Sequence, residues 1–200
     1  MTTPRERVEK TNRVMSRERF QELMGDAVIA LPQDLKSVLR IVDDPEVDDE
    51  SRVRLAGALL HVISEGTSIP GVRGVLQRVG TVLVIRLALE EARGRSPAAL
   101  ARHLDAAPEL LEPLDEQLEV ARAFIGDGMS VLAQVVEKLP SLSHQGHTAR
   151  ECVHDVEHSN WLYDTVHVAL VESMEIDEDD VSREIKGAQQ IPRALEARLR

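Results

Sequence analysis

Apolar residues recur at steps of three and four along nearly the whole chain, the spacing that gathers them on one face of an α-helix. Phe20, Leu23, Met24, Ala27, Val28 and Leu31 make the first such face, and Pro32 predicts its end. Leu35, Val38, Leu39 and Val42 predict a second helix. After the acidic stretch DDPEVDDE, Asp48 or Asp49 is placed to cap a third, with Val53, Ala56, Leu59, Leu60 and Ile63 on one side. Gly66, Pro70, Gly71 and Gly74 predict a loop.

A fourth helix begins at Val75 and is apolar nearly all round from Val82 onward, which predicts a central position; Arg86 inside it must snorkel to an edge or meet a buried carboxylate. Ser96 and Pro97 form a start signal, with Ser96 as cap, and Pro108 starts another helix that runs to Gly126–Gly128. A short helix over Val131–Leu139 stops at Pro140. Thr148 opens a long one to about Ser173, and a last one from about Asp177 is broken or kinked by Pro192. No strand alternation is predicted. The fold class is all-α, an irregular multi-helix bundle with a central apolar helical hairpin, and a seam is placed near Gly94 to Ser96.

Composition narrows this picture. In 200 residues, 42% hydrophobic and 30% charged side chains suit a folded chain, while 2% aromatics leave an aliphatic core and few rings for stacking bases. The net charge of −11 opposes phosphate backbones, so no nucleic-acid partner is expected. Residues 1–19 form a mildly basic arm with Arg5, Arg7, Lys10, Arg13, Arg17 and Arg19. Acid concentrates in DDPEVDDE and EIDEDD, which read as solvated loops and first turns of helices. Cys152 is the single cysteine and no signal segment opens the chain, so the cytoplasm is the expected compartment. The most apolar stretch, TVLVIRLAL, is far short of the roughly 20 residues that span a bilayer.

Candidate chemistry centres on SHQGHTARECVHDVEHSNW, which holds four of the seven histidines, the cysteine and the one tryptophan. On a single helix, His144, His147, Glu151, His154, His158 and Trp161 share a stripe, with Cys152, Val156, Tyr163, Val166 and Leu170 opposite as the buried face. One turn separates His154 from His158, the spacing of two imidazoles on one divalent ion, with Glu151 or His147 completing the shell. Against that ligand set, Thr148-x-x-Glu151 is a capping box that occupies Glu151, and no second Glu-x-x-His exists to build a di-iron centre. The preferred reading is a solvated or partner-facing histidine stripe. His167 is read as a core histidine, Cys152 as a packed small hydrophobe, and Glu109, Glu112, Glu116 and Glu119 as a solvated acidic face.

The stretch from Arg52 to Ala92 resembles the YkvA-like family of small bacterial helical proteins. Ile69 and Pro70 match its loop, within the same helix–loop–helix frame; His61 stands at the family's aromatic, and Glu65, Thr67, Gly71, Gly80 and Thr81 replace its loop proline and aspartates. With every acidic motif position replaced, no functional residue carries over. The resemblance implies a helical hairpin around a Pro-Gly loop, and peripheral membrane contact at Ile69 and Pro70. The chain is expected to comprise the arm over 1–19, a YkvA-like half over 20–94 and a second helical half over 95–200 packed with it as one domain.

There is no phosphate loop, Cys-x-x-Cys pair or nucleophile elbow, and the reading leans away from an enzyme. The expected function is a non-enzymatic helical regulator or adaptor that binds another protein, with self-association as an option, no cofactor, and Trp161 and Tyr163 as anchors. A metal-binding protein built on the histidines and a peripheral membrane protein are the alternatives.

Overall fold

In the computed structural model the first two predicted helices are one: α1 spans Pro4–Asp43 and carries Pro32 inside it. Backbone is described for residues 4–172 and 176–199, and side chains for 16–171 and 176–199. The side chains of Arg5, Arg7, Lys10 and Arg13, and all of Ser173 and Glu175, lie outside the described residues. A proline within a helix forfeits a hydrogen bond and crowds the carbonyl four residues back, at ~3 kcal/mol. Val28, Leu31 and Leu35 around it are at most 2% exposed. Burying each such side chain returns about 1.5–3 kcal/mol, so keeping the face continuous outweighs the break that Pro32 favours.

The central hairpin pairs α2 (Asp49–Ile63) with α3 (Val75–Arg95). Asp48 caps α2 by accepting from the Ser51 amide at 3.0 Å. At the other end the chain turns through Glu65 at φ 53°, with the Gly66 amide donating to the His61 carbonyl at 2.8 Å. Gly66 must lack a side chain, because a Cβ there would overlap the His61 ring. That ring is buried, its Nε2 2.9 Å from Ser68 Oγ. Ile69 then packs onto Gly80, where a Cβ would stand 2.9 Å from Ile69 Cγ1.

Every residue from Val82 to Leu89 is buried, as α3 touches α1 and α2 and four later helices: α4 (Pro97–Ala106), α6 (Leu114–Ile125), α7 (Met129–Lys138) and α10 (Glu178–Glu184). Arg86 therefore has no edge to reach and meets a carboxylate: Nη2 donates to Asp34 Oδ2 of α1 at 2.6 Å, and Nε to Gln117 Oε1 of α6 at 2.6 Å. Burial pushes the Asp34 carboxyl up, and the guanidinium pulls against it. Around this centre one aliphatic core runs from Phe20 to Leu195, with Phe20 and Phe124 stacked at 4.3 Å.

Elsewhere the punctuation departs from the sequence reading. The helix from Pro108 is split by Pro113 into α5 (Pro108–Leu111) and α6. Pro97 does begin α4, but Ser96 makes no side-chain cap; its Oγ accepts from the Asp48 amide at 2.7 Å and ties the α3–α4 junction to the start of α2. The last segment is α10 (Glu178–Glu184) and α11 (Gln190–Glu196), separated before Pro192. Pro192 lies in the first turn of α11, where a missing N–H costs nothing. A small antiparallel ladder, β1 (Ser143–His144) with β2 (His147–Thr148), also forms where no strand was predicted. Glu109, Glu112, Glu116 and Glu119 are exposed, as expected, and Glu116 accepts from Arg19 of α1.

Three outcomes follow from this packing. Arg86→Ala leaves Asp34 buried without its counter-charge and is expected to cost about 3–5 kcal/mol in denaturant unfolding. Gly57→Ala, by helix propensity alone, gains about 1 kcal/mol; here its Cβ would overlap the Leu139 backbone, so a net loss of about 1–3 kcal/mol is expected in the same assay. Burial lowers the His61 pKa below its ordinary value, so the unfolded state binds the proton more readily. Its contribution to stability is present above about pH 6.5 and is lost as pH falls through the folded value; in unfolding curves recorded from pH 7.5 downward, His61→Gln is expected to flatten that decline.

Candidate functional site

The histidine segment folds as a hairpin followed by two helices that meet at an angle. Gln145 and Gly146, at φ 51° and 88°, make the two-residue turn between β1 and β2 and place His144 opposite His147. Thr148 and Glu151 then form the predicted capping box: the Thr148 amide donates to Glu151 Oε2 at 3.1 Å, and the Glu151 amide donates to Thr148 Oγ1 at 3.2 Å. The Thr148 hydroxyl also donates to Oε2 at 2.7 Å, and these contacts from Thr148 hold the Glu151 carboxyl below its usual range.

The single long helix predicted from Thr148 is instead two helices. The helix that begins after Thr148 ends at once as α8 (Glu151–His154), because Asp155 adopts extended backbone at φ −118° and ψ 129°. Asp155 Oδ1 then accepts from the Glu157 and His158 amides at 2.9 and 3.2 Å and starts α9 (Val156–Glu172) in a new direction. A side chain that caps competes with continued helix, and at this position the cap wins.

The break separates His154 from His158. His154 Nε2 lies 3.2 Å from Asp49 Oδ1 in the first turn of α2, beside Arg150, which pairs with Asp49 and Glu50. His158 turns instead to the hairpin: its Nδ1 is 3.0 Å from His147 Nδ1 and 3.8 Å from Glu151 Oε2. His147 stacks on Trp161 with ring centroids 3.7 Å apart and planes 1° from parallel. His144 stands farther out, 6.2 Å from the same indole. Among the described residues, no group of three or more His, Cys, Asp or Glu side chains is arranged to hold a metal ion.

The new helix phase also exchanges which residues face water. Cys152 and Val166 are buried as predicted, but Val156 is 76% exposed and Tyr163 49%. The buried side of α9 is carried by Leu162 and Val166, with Trp161 and Leu170 partly covered. His167 is likewise no core residue; its Nδ1 is 2.9 Å from the Tyr163 carbonyl and its ring lies 4.1 Å from the Tyr163 ring. Burial pushes the Cys152 thiol up to about 11, which leaves it protonated and unreactive at neutral pH.

Away from the histidines, Ile69 is fully buried against Gly80 and has no surface to offer a membrane, while its neighbour Pro70 is half-buried. No helix among the described residues is long and apolar enough to cross a membrane. A mixed cleft of about 300 Å³ lies between the α2–α3 loop and α9, lined by Val62, Glu65, Gln77, Thr81 and Ala169 among others. The signal for the hairpin was present in the sequence as Gln145-Gly146, and the signal for the helix break as Asp155 three residues before His158. Compared with known families, characterised proteins and solved structures, the chain shows no match.

Proposed function

We propose that this protein is a non-enzymatic adaptor or regulator that works by binding another protein along the outer face of α9. The observation that supports the reading is an apolar row left in water. Val156, Tyr163 and Val171, 76%, 49% and 85% exposed, lie within about 80° of one another around the helix at successive steps of seven and eight residues. Single exposed apolar residues are ordinary, but a row of them along one helix marks a docking surface.

Charge selects the occupant. Exposed Glu157 and Asp164 border the row, and the chain as a whole carries −11. Two copies laid face to face would set these acids against each other, so the fitting partner is a different protein whose apolar contact is flanked by Lys or Arg. Tyr163 is the anchor this surface offers; Trp161 is half-buried under its stack with His147 and serves as wall rather than as contact. A single buried cysteine accords with a reducing, cytoplasmic setting.

Site-specific photo-crosslinking in cells tests the proposal. A benzophenone side chain at Val171 is expected to give one discrete adduct, and the same group at Glu112 on the solvated acidic face none. Tyr163→Asp and Val156→Asp are expected to abolish the Val171 adduct while stability stays within about 0.5 kcal/mol, as at exposed sites generally. Equal adducts at both positions, or an adduct that survives both substitutions, would refute it.

A further inference from the structure

The closest approach between two imidazoles in this protein joins two separately built elements. His147 is delivered by the hairpin turn and held flat against Trp161; His158 is aimed by the Asp155 cap at the start of α9. Their Nδ1 atoms face each other at 3.0 Å with the rings nearly edge to face, at 68°. At that separation either ring, in its Nδ1–H tautomer, can donate to the Nδ1 lone pair of the other.

We propose that His147 and His158 chelate a divalent transition-metal ion of the imidazole-preferring class, copper, zinc or nickel, in place of the shared proton. Two imidazole nitrogens on one tetrahedral ion, at bond lengths of about 2.0–2.1 Å, stand roughly 3.3 Å apart. The observed 3.0 Å therefore needs only a few tenths of an ångström of opening. The ring that carries Nδ1–H passes to its Nε2–H tautomer, so both lone pairs turn to the ion and the pair loses no proton overall. Glu151 Oε2, 3.8 Å from His158 Nδ1, remains on its Thr148 cap and contributes negative potential from outside the ligand set. Water completes the coordination, and the −11 chain attracts the cation. The ion would fasten the hairpin to the first turn of α9, the helix that bears the exposed apolar row; the site itself does not depend on the docking role.

Trp161, the single tryptophan, reports on the site directly because it stacks on one ligand. Untagged full-length protein titrated with Cu²⁺ is expected to lose Trp161 emission saturably at one equivalent, and excess EDTA, which strips the ion, to restore it. His147→Ala and His158→Ala should each weaken binding at least about tenfold, since even outer partners of metal sites carry that much. His158→Gln leaves His147 a hydrogen-bond partner and the fold its melting temperature, yet should lose the ion equally. His154→Ala, whose ring pairs with Asp49, should bind as the parent does. Quenching that persists in His158→Gln, or that disappears equally in His154→Ala, would overturn the assignment.

Discussion

An arginine that cannot reach water organises this fold. Arg86, Asp34 and Gln117 come from three different helices and are at most 4% exposed. A guanidinium inside a helix that is apolar all round is tolerable only if its partners arrive with it, so α3 cannot be enclosed unless α1 and α6 dock in one register. Aliphatic packing supplies most of the favourable free energy, but it is permissive about sliding and rotation, whereas a charged fork meeting one carboxylate and one amide is not. The uninterrupted course of α1 through Pro32 has the same origin, because Asp34 lies two residues beyond the proline and must sit on the same buried face as Leu31 and Leu35.

Once that register is set, α2 carries the order outward to the histidine segment. Gly57 lets the Leu139 backbone settle directly on the helix, and the acidic first turn of α2 holds Arg150 and His154. Carboxylates that favour the helix dipole thus serve a second purpose as the fixed end of a tertiary contact. These contacts anchor α8 by its own residues, so the following helix is free to leave in another direction at Asp155. The surface properties of α9 follow from that turn: its apolar residues divide between Leu162 and Val166 in the core and Val156, Tyr163 and Val171 in water.

A chemical consequence of the same turn is that imidazoles distant on one ideal helix come together. His147 and His158 are eleven residues apart and meet at 3.0 Å, while His154 and His158, four apart, go to different neighbours. Spacing rules for metal ligands assume an unbroken helix. Here a hairpin and a cap replace it, and the partners change accordingly.

The sequence by itself determined the class of the fold, most of the core of the first three helices and several local devices. Apolar steps of three and four from Phe20 to Leu87 are buried as their periodicity requires, with Ile63 alone among those predicted only partly covered, because amphipathic phase is a local property. The Thr148–Glu151 box, the Asp48 cap and the choice Arg86 faced were legible for the same reason: each is decided within one turn or by the cost of burying charge. Tertiary structure alone decided where helices with competing signals stop. Pro32 and Asp155 both signal a break, yet the helix passes Pro32 and ends at Asp155. At Pro32 a continuous buried face outweighs the local penalty; at Asp155 Val156 remains in water, and the cap prevails. Only the neighbours reveal how much burial stands on each side of that balance, so the histidine pairing and the exposed face of α9, which both depend on it, could not be read from the chain in isolation.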